Sequence, residues 1–383
     1  MKKTKVFEGI RSYSMVIVLV LIAVLFHFWT KGLIFTPMNL TNLILQNSYV
    51  VILILGMLPC ILTGNIDLSV GSVLAFIGAI AAIMQVKMGM GFLPTLVVSL
   101  VIGIAIGMWN GMWIAYFDIP AFIVTLSGEL VFRGLTQVIL DGASIGPFSK
   151  TFRAIAASFL PAPGGAIFPF TIILALIACA VFIILSIRGR QDQKAHGVPL
   201  GPVGGFTARI AIVTVAILFL SYEMATYQGY PTVLVLMLVL SVLYTFLTSR
   251  TIIGRSLYAV GGNRKAARLS GIKDRKTLFL AYSNMGLMSA VAGIVYAARL
   301  NAATPKAGTG FELDAIAACY VGGASVSGGA GTIPKALIGC FVISILNNGM
   351  SMLGVSADWQ QTVKGFVIRF AVASDLLPKR KKA

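Results

Sequence analysis

The side chains able to do chemistry in this chain are few, and the acids that open apolar runs stand out first. In Leu62-Thr63-Gly64-Asn65-Ile66-Asp67-Leu68-Ser69-Val70-Gly71-Ser72 a single carboxylate precedes a run of small and apolar residues. A carboxylate at a helix start is stabilised by the free backbone N–H groups and the helix dipole. Two readings follow: a capped tight turn, or a polar stretch of a solute path to which Asn65, Asp67 and Ser69 contribute. Phe311-Glu312-Leu313-Asp314-Ala315-Ile316-Ala317-Ala318 repeats the arrangement with Glu312 and Asp314. Glu129 and Arg133 stand four apart inside another apolar run, the acid-first order that favours a helical ion pair. They form such a pair, or they line a path. Asn110, Asn284, Asn347 and Asn348 offer amides either to a solute or to neighbouring helices. Tyr320, Trp359 and Gln360 lie near the ends of apolar runs, where aromatic belts form.

This inventory lacks the parts of an enzyme. The two histidines, His27 and His196, have no acid or nucleophile beside them, and general acid–base or nucleophilic chemistry needs such a constellation. No Gly-x-x-x-x-Gly-Lys-[Ser/Thr] phosphate loop occurs, so ATP is not expected to bind here by that device. Cys60, Cys179, Cys319 and Cys340 all fall in apolar runs without metal-ligand spacing. No disulfide framework, metal site or resident cofactor is predicted.

The elements that must hold these groups are membrane helices. The chain has 383 residues, 58% apolar and only 11% charged, whereas soluble domains are about a quarter charged. A span needs about 20 apolar residues, and twelve segments qualify: 14–30, 42–63, 68–86, 92–116, 121–140, 167–187, 209–228, 231–249, 277–298, 313–329, 334–353 and 362–378. An all-α polytopic membrane protein is predicted, as one transmembrane domain over residues 1–383. The Gly-rich tenth segment is also open to a broken or re-entrant reading. After Lys2, Lys3, Lys5 and the run Met15–Phe26, the bulky His27-Phe28-Trp29 is unlike a cleavage site, so the first run is read as a retained span.

The net charge of +18 serves topology better than nucleic-acid binding, because the basic residues crowd between spans without aromatic interleaving. With the N-terminus placed in the cytoplasm, 21 Lys and Arg fall in inside segments and 7, Lys364 among them, in outside segments. That asymmetry predicts both termini cytoplasmic. The largest inside segment, 250–276, contains Gly261-Gly262-Asn263 and runs on to Ser270-Gly271. Asn263 is suited to cap a short helix and Gly271 to stop it, with Ala266, Ala267 and Leu269 as its apolar part. Such a helix suits contact with a soluble motor, or a position on lipid headgroups.

Three ordered motifs, Gly64–Ser72, Ala259–Ile272 and Glu312–Ala318 with Val321-Gly322-Gly323, resemble those of the bacterial monosaccharide ABC importer permeases. Pro120–Leu126, Phe132-Arg133-Gly134-Leu135 and Trp359–Gly365 also fit. That family comprises the ribose, xylose, arabinose and galactose permeases. The resemblance implies a core of ten helices with an inverted repeat, and the 167–228 segment looks like an added hairpin, similar to the xylose and multiple-sugar branch. Asn65 stands where a second Gly is usual, and Glu129 lies outside the family pattern. The resemblance further implies a homodimer in the bacterial inner membrane, with ATP and Mg on a separate ATP-binding cassette subunit and an extracytoplasmic sugar-binding protein. Transport would run by alternating access. Residues Gly261, Gly262, Asn263, Ala266, Ala267, Leu269, Ser270 and Gly271 would couple to the ATPase. The solute path would involve Asn65, Asp67, Ser69, Asn110, Glu129, Arg133, Glu312, Asp314, Tyr320 and Asn347. An importer of nucleosides, autoinducers or branched-chain amino acids is an alternative, as is a secondary transporter driven by an ion gradient. The latter would want intramembrane acids as proton relays, and Glu129 is the one acid well inside a predicted span.

Overall fold

The computed structural model describes residues 2–160, 168–197, 200 and 202–380, with side chains described for 15–160, 168–197, 200, 202–373. The terminal basic side chains counted above (Lys2, Lys3, Lys5, Arg11 and Lys379–Lys382) and the first residue of the predicted hairpin lie outside the described side chains.

The described chain is helical, and two isolated bridges, Ile145 with Ala303 and Phe159 with Pro231, are its only strand-like pairings. The first half contains α1 (Lys2–Trp29), α2 (Pro37–Leu62), α3 (Val70–Ala82, extended by a π turn, Ile83–Lys87), α4 (Phe92–Ala115), α5 (Ala121–Leu140) and the short α6 (Lys150–Ala157). Then come α7 (Pro169–Ala195), α8 (Val203–Ala225) and α9 (Thr232–Arg250). A short pair, α10 (Ile252–Gly262) and α11 (Arg264–Leu269), leads into α12 (Asp274–Leu300). The chain closes with α13 (Phe311–Val321), α14 (Ile333–Met352) and α15 (Ala357–Arg380). Every predicted span has its helix. Among the described residues nine of these are long and apolar enough to cross a membrane, and α1, α13 and α15 are not among the nine.

The tenth segment departs from the span predicted over 313–329. Its helix ends at Val321 after 11 residues, about 16 Å at 1.5 Å per residue, and so reaches only halfway through a hydrocarbon core of about 30 Å. Gly322 and Gly323 end it, and a turn closed from Gly328 N–H to the Ser325 carbonyl leads on to α14.

Helix α2 is the axis of the bundle. Every residue from Val50 to Leu62 is buried, as an all-apolar helix requires when neighbours surround it. Helix α12 packs on α2, α3 and α4 through small residues, which let backbones approach closely. A Cβ on Gly286 of α12 would lie 2.2 Å from the Gly103 carbonyl oxygen of α4. By contrast α7 and α8 pack mainly on each other, and α8 reaches the rest through α2.

Candidate functional site

Two non-helical segments enter the bundle from opposite ends and meet inside it. One is the stretch between α2 and α3, the other the stretch between α12 and α13. Leu74 and Gly78 of α3 lie against Gly293 and Ala297 of α12, so α3 begins well along α12 rather than at its end. A Cβ on Gly71 would fall 2.2 Å from the Gly308 carbonyl oxygen and 2.5 Å from Glu312 Oε2. Only hydrogen fits between these backbones. Gly308, at φ +70°, also needs the left-handed conformation that glycine tolerates.

The first segment is held by neutral groups, its own and those of α4 and α12. Asp67 Oδ1 accepts from the Ser69 backbone N–H at 2.8 Å and from the Ser69 hydroxyl at 2.6 Å. Asn110 Nδ2 donates to Ser69 Oγ at 3.2 Å, and all three residues are buried. The Tyr282 hydroxyl holds the Ile66 carbonyl at 3.2 Å, and Asn65 Nδ2 turns back to Thr63. The second segment is held from outside itself. Arg133 Nη1 donates to the Ala307 carbonyl at 2.5 Å, and Lys364 Nζ pairs with Asp314 Oδ1 at 2.8 Å. Glu312 Oε2 is buried without a hydrogen-bond partner.

Beside the second segment lies a cavity of about 290 Å³, at the small end of the range for small-molecule sites, roughly 300–1,000 Å³. Tyr49, Tyr296 and Phe311 form one wall. Tyr49 stacks on Phe311 with centroids 4.0 Å apart, and Tyr296 meets both edge-on at 5.2 and 5.1 Å. Gln46 and Asn47 of α2, Arg299 of α12, and Ser344, Asn347, Asn348 and Ser351 of α14 complete the lining. Asn347 Oδ1 is buried and unpartnered. Asn348 exchanges two 2.9 Å hydrogen bonds with Asn39, which fixes α14 to α2. Neutral amides, hydroxyls and an aromatic wall with one cation suit a polar, uncharged solute. Among the described residues no carboxylate lines this space.

Some sequence expectations are redirected. Among the described residues no ion pair joins Glu129 to Arg133, because the Ala307 carbonyl takes the guanidinium. Lys364 lies within α15 and faces Asp314, so it is no external loop charge. Asn284 accepts from the Tyr244 hydroxyl. Asn110 borders a separate groove of about 530 Å³ with Trp109 and Trp113. Tyr320 is half-buried in the core. Of the predicted path residues, Asn347 lines the cavity itself, while Glu312 and Asp314 belong to the segment and helix beside it. Gln46, Asn47, Tyr49, Tyr296 and Arg299 were missed. A signal existed: Ser344, Asn347, Asn348 and Ser351 recur at three and four residues, a polar stripe on an apolar helix.

At the other end, the short helix predicted from Asn263 forms, and the Asn263 side chain accepts from Ala266 N–H at 2.9 Å as its cap. Gly271 follows at φ +83°. Ala267 turns inward, 5% exposed, whereas Leu269 is 89% exposed and Gly262, Ala266 and Ser270 also face out. Gly261 is wedged: a Cβ there would fall 1.6 Å from the Leu62 carbonyl. That same carbonyl accepts from Gly329 N–H at 2.9 Å, and the Tyr258 hydroxyl donates to the Gly331 carbonyl at 2.6 Å. Helix α10 thus bears on the end of α2 and on the loop after α13 together.

Helices broken inside the bundle, around a polar cavity, define a multi-pass α-helical membrane permease, in which non-helical backbone is tolerated where protein buries it. The chain belongs to the family described as branched-chain amino acid transport system / permease component, whose model matches residues 39–372. It is 38% identical over 380 residues to the xylose transport system permease protein of Escherichia coli (strain K12), covering 98% of this chain and 95% of that one. The corresponding protein of Haemophilus influenzae is 37% identical over 97% of this chain and 98% of its own length. The ribose import permease protein of Escherichia coli (strain K12) is 35% identical over 94% and 92%. No solved structure matches the chain.

Proposed function

We propose that this chain is the membrane-spanning subunit of an ATP-driven importer that moves xylose, or a closely related monosaccharide, by alternating access. The cavity between α2, α12, α13 and α14 is the transit site. Its chemistry carries the reading. The amides of Gln46, Asn47 and Asn347 match sugar hydroxyls, and the Tyr49–Phe311 stack offers an aromatic face to the sugar ring. The names of the relatives agree. A branched-chain amino acid, the other solute suggested by the family description, would want a carboxylate for its ammonium group, and the described lining residues include none.

An ATP-binding cassette subunit engages the exposed Leu269, Ala266 and Ser270 face of α11, and its motion reaches the end of α2, where the first re-entrant segment begins, through Gly261 and the loop after α13 through Tyr258. The α10–α11 end is cytoplasmic, on the strength of its basic residues. A reporter fused after Lys194 therefore reads as cytoplasmic, and an external signal would reverse this orientation. A sugar-binding protein feeds the opposite end. A second copy completes the assembly: only 22% of α5 is buried here, yet it exposes Gln137, which a lipid-facing surface disfavours.

The test is ATP-driven uptake of labelled xylose into proteoliposomes holding the permease with its ATP-binding subunit. Tyr49→Ala and Asn347→Leu should each lower uptake about tenfold, the 1.4 kcal/mol expected for one lost hydrogen bond or stacking contact, while ATP hydrolysis persists. Unchanged xylose uptake in both variants, or leucine as the solute carried, would displace this reading.

A further inference from the structure

The α10–α11 end carries an ion cluster that the solute path does not use. Asp274, the first residue of α12, is buried. Its carboxylate takes Arg264 Nε at 2.7 Å, Arg268 Nη2 at 2.7 Å and Arg268 Nε at 3.2 Å. Asp118, in the turn between α4 and α5, takes Arg264 Nη2 at 3.1 Å and Arg275 Nη2 at 3.4 Å. Arg264 thus bridges two acids, one opening α12 and one in the α4–α5 turn.

The two sides differ in permanence. The Asp274 side chain is 7% exposed, whereas Asp118 is 50%, Arg264 41% and Arg275 52%. Ion pairs as open as the latter are weak and screened by salt, while the Asp274 carboxylate, itself buried although Arg264 and Arg268 are 41% and 60% exposed, would be stranded as a charge without them. Helix α11 is therefore fixed to α12 and held only releasably to the α4–α5 turn.

Asp118 also breaks two local rules. It sits at φ +53° just past the end of α4, where Ile119 N–H closes back on the Trp113 carbonyl. Glycine or asparagine is the ordinary residue at such a stop, and a carboxylate there opposes the helix dipole. Two such conflicts need a compensating interaction, which the Arg264 and Arg275 guanidinium groups supply. Helix α4 itself is not free to respond: a Cβ on Gly107 would lie 2.4 Å from the Tyr282 carbonyl of α12. Helix α5 packs more on α3 than on α4. It also carries Arg133, which holds Ala307 next to the Gly71–Gly308 contact.

We infer that Asp118, with Arg264 and Arg275, is a releasable latch through which α11 sets the position of α5 and of the segment between α12 and α13. Asp118 is thereby a positioning residue for transport. This rests on the reading that the ATP-binding subunit engages α11, and the two are separable by experiment. In proteoliposomes holding the full complex, Asp118→Asn should keep the ATP-binding subunit and leave ATP hydrolysis within about twofold. Xylose moved per ATP should fall fivefold or more, and Asp118→Glu should recover it. Asp118→Cys with Arg275→Cys, joined by a short bifunctional methanethiosulfonate, should stop uptake until reduced; the four native cysteines are buried. An unchanged xylose-to-ATP ratio in Asp118→Asn, loss of the subunit from that variant, or normal uptake after cross-linking would overturn the latch. The docking reading is tested apart from it, by whether Leu269→Glu still retains the subunit.

Discussion

The Gly71–Gly308 contact offers the sharpest test of the architecture, because a single methyl group should force the two re-entrant segments apart. In Gly71→Ala the new carbon would stand 2.2 Å from the Gly308 oxygen and 2.5 Å from Glu312 Oε2. The closest comfortable carbon–oxygen approach is about 3.3 Å, so one side must retreat by roughly 1 Å. The Gly308 side does not retreat freely: Ala307 is held by Arg133, and Glu312 opens a helix whose Asp314 is paired to Lys364. The cost should sit near the upper end of the range for an overpacked site, about 3 kcal/mol. Gly308→Ala meets the Gly71 carbonyl oxygen at 2.0 Å and adds the strain of φ +70°. Once one methyl has opened the gap, the second finds it open, so the double variant should fall short of additivity by about 1 kcal/mol or more. Thermal unfolding of the detergent-solubilised protein, read with xylose uptake, measures both effects. A Gly71→Ala protein as stable and active as the parent would refute the contact, and strictly additive costs would refute its being shared.

Two further perturbations bear on the charges inside the bundle. Lys364→Met leaves Asp314 without its partner and should destabilise the protein by about 3–5 kcal/mol, whereas Lys364→Met with Asp314→Leu should regain most of that; equal losses in thermal unfolding would show that the pair does not act as a unit. Arg133→Leu removes the donor from the Ala307 carbonyl and should cost about 1–3 kcal/mol, while Glu129→Gln should lie within about 0.5 kcal/mol of the parent. Matching losses for Arg133→Leu and Glu129→Gln would restore the helical ion pair that the residue spacing suggests.

Much of the scaffold was legible because hydropathy responds to one strong constraint: backbone groups in lipid must bond within their own helix. Each of the twelve apolar runs therefore has a helix. Where Gly322 and Gly323 interrupt the tenth run, hydropathy alone overran the true end at Val321. The acids at Asp67 and Glu312 marked both re-entrant segments, since a carboxylate opening an apolar run is costly without a special setting. The cavity was not legible, because its wall is assembled from four helices distant in sequence, and Tyr49 or Tyr296 alone looks like any core aromatic. Spacing also misled at Arg133, where a carbonyl 174 positions away outcompetes Glu129. In the six-residue α11, periodicity is too short to say which way Ala267 turns.

The two re-entrant segments each lead into a helix through an acid followed by leucine and run in opposite directions, yet their carboxylates are satisfied by different physics. Helix α3 runs alongside α12, and α13 runs against α14, so the Asp67-Leu68-Ser69 and Glu312-Leu313-Asp314 openings point opposite ways. Asp67 is held by neutral donors, the Ser69 amide and hydroxyl, with Asn110 behind them. Asp314 is held by a charge from another helix. Neutral hydrogen bonds exchange partners without separating charge, but parting Lys364 from Asp314 strands two ions in a low-dielectric interior. The first segment is thus the more easily rearranged, while α13 and α15 move as one body. Helix α10 presses on the end of α2, where the first segment begins, through the Leu62 carbonyl and on the loop after α13 through Tyr258. A displacement there should slide the pliable segment past the rigid one at the Gly71–Gly308 contact. Any opening of the neighbouring cavity then follows from which of the two yields first.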